Sequence, residues 1–195
     1  CAPSKATRAV IELHLQWAPG GEVRWSDVSL AESAAPAARK GRLSTVHFRP
    51  RGGKTPMDNC RMFEPHIAAA ARQKADLVVL GEVVNSVGLG KGPHEVAESI
   101  PGPCSDYFGR LAKEHDLYIV ACLYERDRHV VYNTAALLGP DGKLVGKYRK
   151  GCLPRGEIDE GVAPGSDYPV FETRFGKVGM MICYDGFFPE VTREL

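Results

Sequence analysis

Cys183 stands where an apolar run gives out, in Gly179-Met-Met-Ile-Cys-Tyr-Asp-Gly-Phe-Phe-Pro-Glu190. A cysteine inside a core is ordinarily inert. One at a strand end is held on a rigid support and aimed into a crevice, where an α/β protein places a nucleophile. An ordinary thiol, with a pKa of about 8.5, is only slightly ionised at neutral pH, so an attacking cysteine needs a base and a nearby cation. Glu82 can be the base, because it follows the buried-strand run Asp76-Leu-Val-Val-Leu80 after a single glycine. Lys150, closing Lys147-Tyr-Arg-Lys150, can be the cation. Beside a thiol and a carboxylate, an ammonium can hold the thiolate and stabilise charge on a substrate oxygen. The backbone N–H of Tyr184 can donate to the same developing oxyanion. Singly, Glu82 reads as a loop acid and Lys150 as a surface charge; the set points to covalent catalysis. The six histidines fall mid-strand, in helices or in a loop, and none makes a better-placed base.

These residues need elements to hold them. Leu43–Phe48 is a candidate strand, and Thr55-Pro-Met-Asp58 starts a helix with a capping hydroxyl, a proline at the first helical position and an acid three residues on. That helix is expected to reach about Gln73, with a kink at Pro65. Asp76–Leu80 reads as a strand buried on both faces, Ser105–Glu114 as a helix and Leu117–Tyr124 as a strand. Val130–Leu138 turns through Gly139–Gly142 into Leu144–Tyr148. A Gly- and Pro-rich loop to about Pro169 precedes a hairpin of Val170–Thr173 and Val178–Ile182. Upstream, Val10–Trp17 and Val23–Leu30 alternate like two strands, too few to bury a face alone. Residues 1–30 are therefore expected to be a remnant of a preceding β-domain, 31–41 a linker and 42–195 the main α/β unit.

The totals exclude several functions. The 195 residues carry a formal net charge of +1, which offers no broad field for nucleic acid or anionic lipid. No apolar run approaches the roughly 18 residues of a membrane helix, so a soluble chain is expected. The six cysteines show neither CxxC pairing nor a histidine at metal spacing, which suggests free thiols, a reducing compartment such as the cytoplasm, and no metal. Export of a longer protein stays open.

Leu77-Val-Val-Leu-Gly-Glu82, Lys147-Tyr-Arg-Lys150 and Val178-Gly-Met-Met-Ile-Cys-Tyr-Asp185 with Phe188-Pro-Glu190 together resemble, in order, the three signatures of the nitrilase or carbon–nitrogen hydrolase superfamily. The resemblance covers about Leu43–Leu195 and suits the aliphatic-amidase-like or carbamoylase-like branches. It implies an α-β-β-α sandwich whose C-terminal part is missing, so the chain is similar to a fragment cut at both ends. It also implies Glu82, Lys150 and Cys183 as the catalytic triad, with a second glutamate between lysine and cysteine: Glu160, before Pro164-Gly165, or otherwise Glu157. The implied reaction is hydrolysis of a small amide, carbamoyl or nitrile carbon–nitrogen bond without a cofactor, in a homo-oligomer. An acyltransferase using the same cysteine, or an inactive binding module, is the alternative. Gly81 stands where the family commonly has proline, and Cys152 where it commonly has histidine.

Overall fold

In the computed structural model, which describes residues 5–17, 19–31 and 40–195, the chain divides into two units, 1–38 and 39–195. Residues 5–17 and 19–31 are exposed throughout and belong to no strand or helix. The alternation at Val10–Trp17 and Val23–Leu30 thus does not become the expected pair of strands, since no sheet supplies ladder partners for their backbone. Cys1 and most of the expected linker lie outside the described residues.

In the larger unit the chain runs β1 (Leu43–Thr45), α1 (Pro56–Arg61), α2 (Glu64–Arg72), β2 (Leu77–Val79), α3 (Pro93–Val96), α4 (Pro103–Glu114), β3 (Tyr118–Asp127), β4 (Val130–Leu138), β5 (Leu144–Arg149), α5 (Arg155–Asp159), β6 (Val162–Ala163), β7 (Val170–Thr173), β8 (Gly176–Gly179) and α6 (Pro189–Glu194). The capping box at the start of α1 is complete. Thr55 Oγ1 accepts from the Asp58 N–H at 3.1 Å, and Asp58 Oδ2 accepts from the Thr55 N–H at 3.0 Å. At Pro65 the single kinked helix is instead two helices, because a proline with no N–H is best placed in the first turn of a new one.

Strands β1, β2 and β3 pair in parallel, β3–β4 and β4–β5 antiparallel, and β6 pairs with β4 in parallel. The parallel pairs force crossovers, and their helices cover one face of the sheet. On that face Phe63, Ile67, Phe108 and Leu111 pack against Ile119 and Leu123. On the other face Tyr118, Val120, Leu137 and Tyr148 pack against Phe171 and Phe175 of a separate β7–β8 hairpin. Helices, sheet and opposed hairpin give the mixed α/β layering expected from the three motifs. Among the described residues no helix is long and apolar enough to cross a membrane.

Candidate active site

Glu82 sits just past the C-terminal end of β2, where the Leu80 N–H donates to Val120 O at 3.0 Å and the Val84 N–H to Cys122 O at 2.9 Å. Between these anchors Val83 takes φ +42°, unusual for a β-branched residue, and the turn it makes lifts Glu82 out of the ladder. The following loop is pinned by buried Asn59, whose Nδ2 donates to Val84 O and Val87 O at 3.2 and 2.8 Å.

Lys150 comes one residue after β5. Its N–H donates to Asn133 O, and its carbonyl accepts from the Gly165 N–H, both at 2.9 Å. The side chain is 1% exposed, and its ammonium lies between two carboxylates: Glu82 Oε1 at 2.8 Å and Glu157 Oε2 at 2.7 Å. Burial would push this ammonium's pKa down, but Glu157 and Glu82 outweigh burial and hold it above its ordinary value. Glu157 comes from α5, a helix in what the sequence marks only as loop. Glu160, the expected second glutamate, caps the C-terminus of α5 and is exposed; the lysine's second carboxylate is Glu157. Glu157 lies in the first turn of α5, close in the chain to Lys150, whereas Glu160 is the cap beyond the last helical residue and stays in solvent.

Cys183 opens a 3₁₀ turn, Cys183–Phe187, and Gly179, the last residue of β8, comes before the intervening Met180-Met181-Ile182. The strand is thus shorter than the expected Val178–Ile182, and the cysteine stands on a connecting elbow with φ +46°. The thiol is exposed, and its pKa is raised, first by burial of its surroundings and then by the Glu82 carboxylate; Lys150 pulls the other way and is outweighed. The Lys150 charge is already answered by two carboxylates, and it does not offset the effects that raise the thiol. Cys183 and Glu82 line a common cavity of about 300 Å³ with Val79, Val120 and Cys122. Tyr184 is half-buried, its ring 5.5 Å from that of Phe187 and 5.3 Å from that of Phe188.

Two residues that reasoning from sequence left out organise this site. Buried Asp185 accepts from the Tyr148 hydroxyl at 2.8 Å, the Cys152 N–H at 2.7 Å and the Ile182 N–H at 2.9 Å. It thereby ties the cysteine elbow to the segment carrying Lys150. Asn133, buried in β4, donates to both Glu82 and Glu157. Its signal is the polar pair Asn133-Thr134 inside the largely apolar run Val130–Leu138.

Residues 55–195 match the family described as carbon-nitrogen hydrolase. The chain belongs to that family. Among its curated relatives, omega-amidase NIT2-B of Xenopus laevis is 37% identical over 163 residues, covering 79% of this chain and 58% of the relative. A nitrilase of Pyrococcus abyssi is 39% identical over 144 residues, 72% of this chain and 55% of its own. This carbon–nitrogen hydrolase chain thus spans little more than half the length of those relatives. Among solved structures, Nit3 of Saccharomyces cerevisiae, a member of branch 10 of the nitrilase superfamily, superposes with a TM-score of 0.68 at 27% identity, over 82% of this chain and 61% of that one. An amidase from Nesterenkonia sp. shares the fold with a TM-score of 0.67 at 20% identity, over 80% and 60%.

Proposed function

We propose that the whole protein hydrolyses a small non-peptide carbon–nitrogen bond in an amide, carbamoyl compound or nitrile, with Cys183 as nucleophile. The observation that carries this reading is the buried Lys150 ammonium bound between Glu82 and Glu157 beside an exposed cysteine on a strained elbow. With an amide, Glu82 takes the thiol proton as sulfur attacks the carbonyl carbon. The resulting oxyanion is met by Lys150 and the Tyr184 N–H. Glu82 then hands the proton to the departing nitrogen, ammonia or an amine leaves, and a thioester remains on Cys183. Water attacks this thioester with Glu82 again accepting a proton; the acid is released and the proton returns to the thiol. Glu157, rather than Glu160, is the second glutamate, and it holds Lys150 in place.

The raised thiol pKa supports proton transfer concerted with attack in place of a standing thiolate. The relatives named omega-amidase and nitrilase support the bond class. Free thiols at Cys60, Cys104, Cys122, Cys152 and Cys183 fit a reducing compartment, and self-association is expected of the whole protein. The test is ammonia release from aliphatic amides, nitriles and N-carbamoyl compounds by the full-length protein, beside Cys183→Ala. Turnover should fall by on the order of 10⁴-fold or more while the fold persists. A variant that keeps its activity, or an amine acceptor that captures the acyl group in place of water, refutes the hydrolase reading.

A further inference from the structure

Asn133 is fully buried in the middle of β4, and the reaction as written does not use it. Its carboxamide nevertheless bonds three ionisable side chains from three parts of the chain. Nδ2 donates to Glu82 Oε1 at 2.8 Å and to Glu157 Oε1 at 2.6 Å. Oδ1 accepts from the Cys122 thiol at 3.0 Å. An amide nitrogen has two hydrogens, so both are committed to the two carboxylates that also grip Lys150. Two carboxylates around one ammonium leave a net negative centre, and a buried centre of that sign favours taking up a proton. A neutral amide adds two donors without adding charge. Cys122 decides which end of the amide faces the glutamates, because the two ends have nearly the same shape. Burial pushes this thiol up to about 12, so it stays protonated and remains a donor. The other titratable groups facing the centre are Tyr124 on β3 and Cys183 itself, and Glu160 beyond α5 acts on Tyr124.

We propose that Asn133, oriented by the Cys122 thiol, is a positioning residue that keeps Glu82 and Glu157 ionised together and both on Lys150. The proposal rests on the reading of Glu82 as the base. It is tested in the full-length protein with Asn133→Ala, Asn133→Asp, Cys122→Ala and Cys122→Ser, each followed as kcat and KM against pH on one amide. Asn133→Ala should lose roughly tenfold or more in kcat with little change in KM, and the acidic limb of kcat/KM should move up by about one pH unit. Asn133→Asp, which replaces a donor with a third carboxylate, should move the limb further. Cys122→Ser keeps a donor and should recover most of what Cys122→Ala loses. An unmoved limb in Asn133→Ala overturns the proposal. If that variant does not fold, identical limbs in the two Cys122 variants overturn it instead. A readout free of turnover separates this outcome from failure of the hydrolase reading. The ¹³C carboxyl resonances of Glu82 and Glu157, assigned by Glu82→Gln and Glu157→Gln, should take up a proton at higher pH in Cys122→Ala than in wild type. Coincident titrations sink the proposal even in a protein that hydrolyses nothing.

Discussion

Cys183 pairs two departures from an ordinary cysteine: a left-handed backbone and a thiol pKa above the usual value. The first costs of order 1–3 kcal/mol and persists only where neighbours over-determine it. Here Asp185 does so, through its bonds to Ile182, Cys152 and Tyr148. The second gives a prediction of opposed signs. The Glu82 charge is one cause of the raised thiol pKa, so Glu82→Gln should bring that pKa down and extend the thiolate to lower pH. Alkylation of Cys183 by iodoacetamide at neutral pH should then speed up, while hydrolysis falls by about 10²–10⁴-fold as the base is lost. Peptide mass analysis and ammonia release read the two effects. If alkylation slows in step with hydrolysis, Glu82 is not what holds the thiol protonated.

At the element scale the β7–β8 hairpin matters most, because it leads into the cysteine elbow and rests on the sheet that carries Lys150. The contact is close: a Cβ at Gly146 on β5 would lie 2.0 Å from Cε1 of Phe171 on β7. Gly146→Ala must therefore displace the ring and the hairpin with it. The expected cost is about 1–3 kcal/mol of stability, seen as a lower Tm, together with lost turnover. An unchanged Tm would mean the hairpin rides free of β5. The succession of strands β1 to β5 and the helices α1, α2 and α4 could be read from runs such as Leu77–Val79 and from the Thr55 capping box. Helix α5 could not. Its five residues are too few for a periodic stripe, and their neighbours are glycines and prolines. The sequence points to Glu160, which lies nearer the Pro-Gly turn, whereas it is Glu157 that pairs with Lys150 in space.

At the scale of the molecule, the five thiols among the described residues sort by burial. Cys60, Cys104 and Cys122 are buried in the sheet and helix packing, whereas Cys152 is half-buried and Cys183 exposed. The Cys104 thiol is pushed well up, first by the adjoining Cys60 thiol and then by burial. Brief iodoacetamide treatment of the native protein should label Cys183 first and Cys152 after it. The three buried thiols should react only on unfolding, at rates set by opening of the core. Native labelling of Cys122 would show that the sheet face beneath Glu82 is open to solvent.

The order Glu82, Lys150, Cys183, the strand ends beside Glu82 and Lys150 and the mixed α/β class were determined by sequence alone, because short-range pattern dictates local structure and three motifs in order are hard to meet by chance. Tertiary structure alone decided which glutamate answers Lys150, that Asn133 and Asp185 tie the site together, and that the Lys150 charge is shared between two carboxylates. Each of these depends on which side chains share a buried space and cancel one another's charge, and that follows from how strands far apart in the chain are brought side by side.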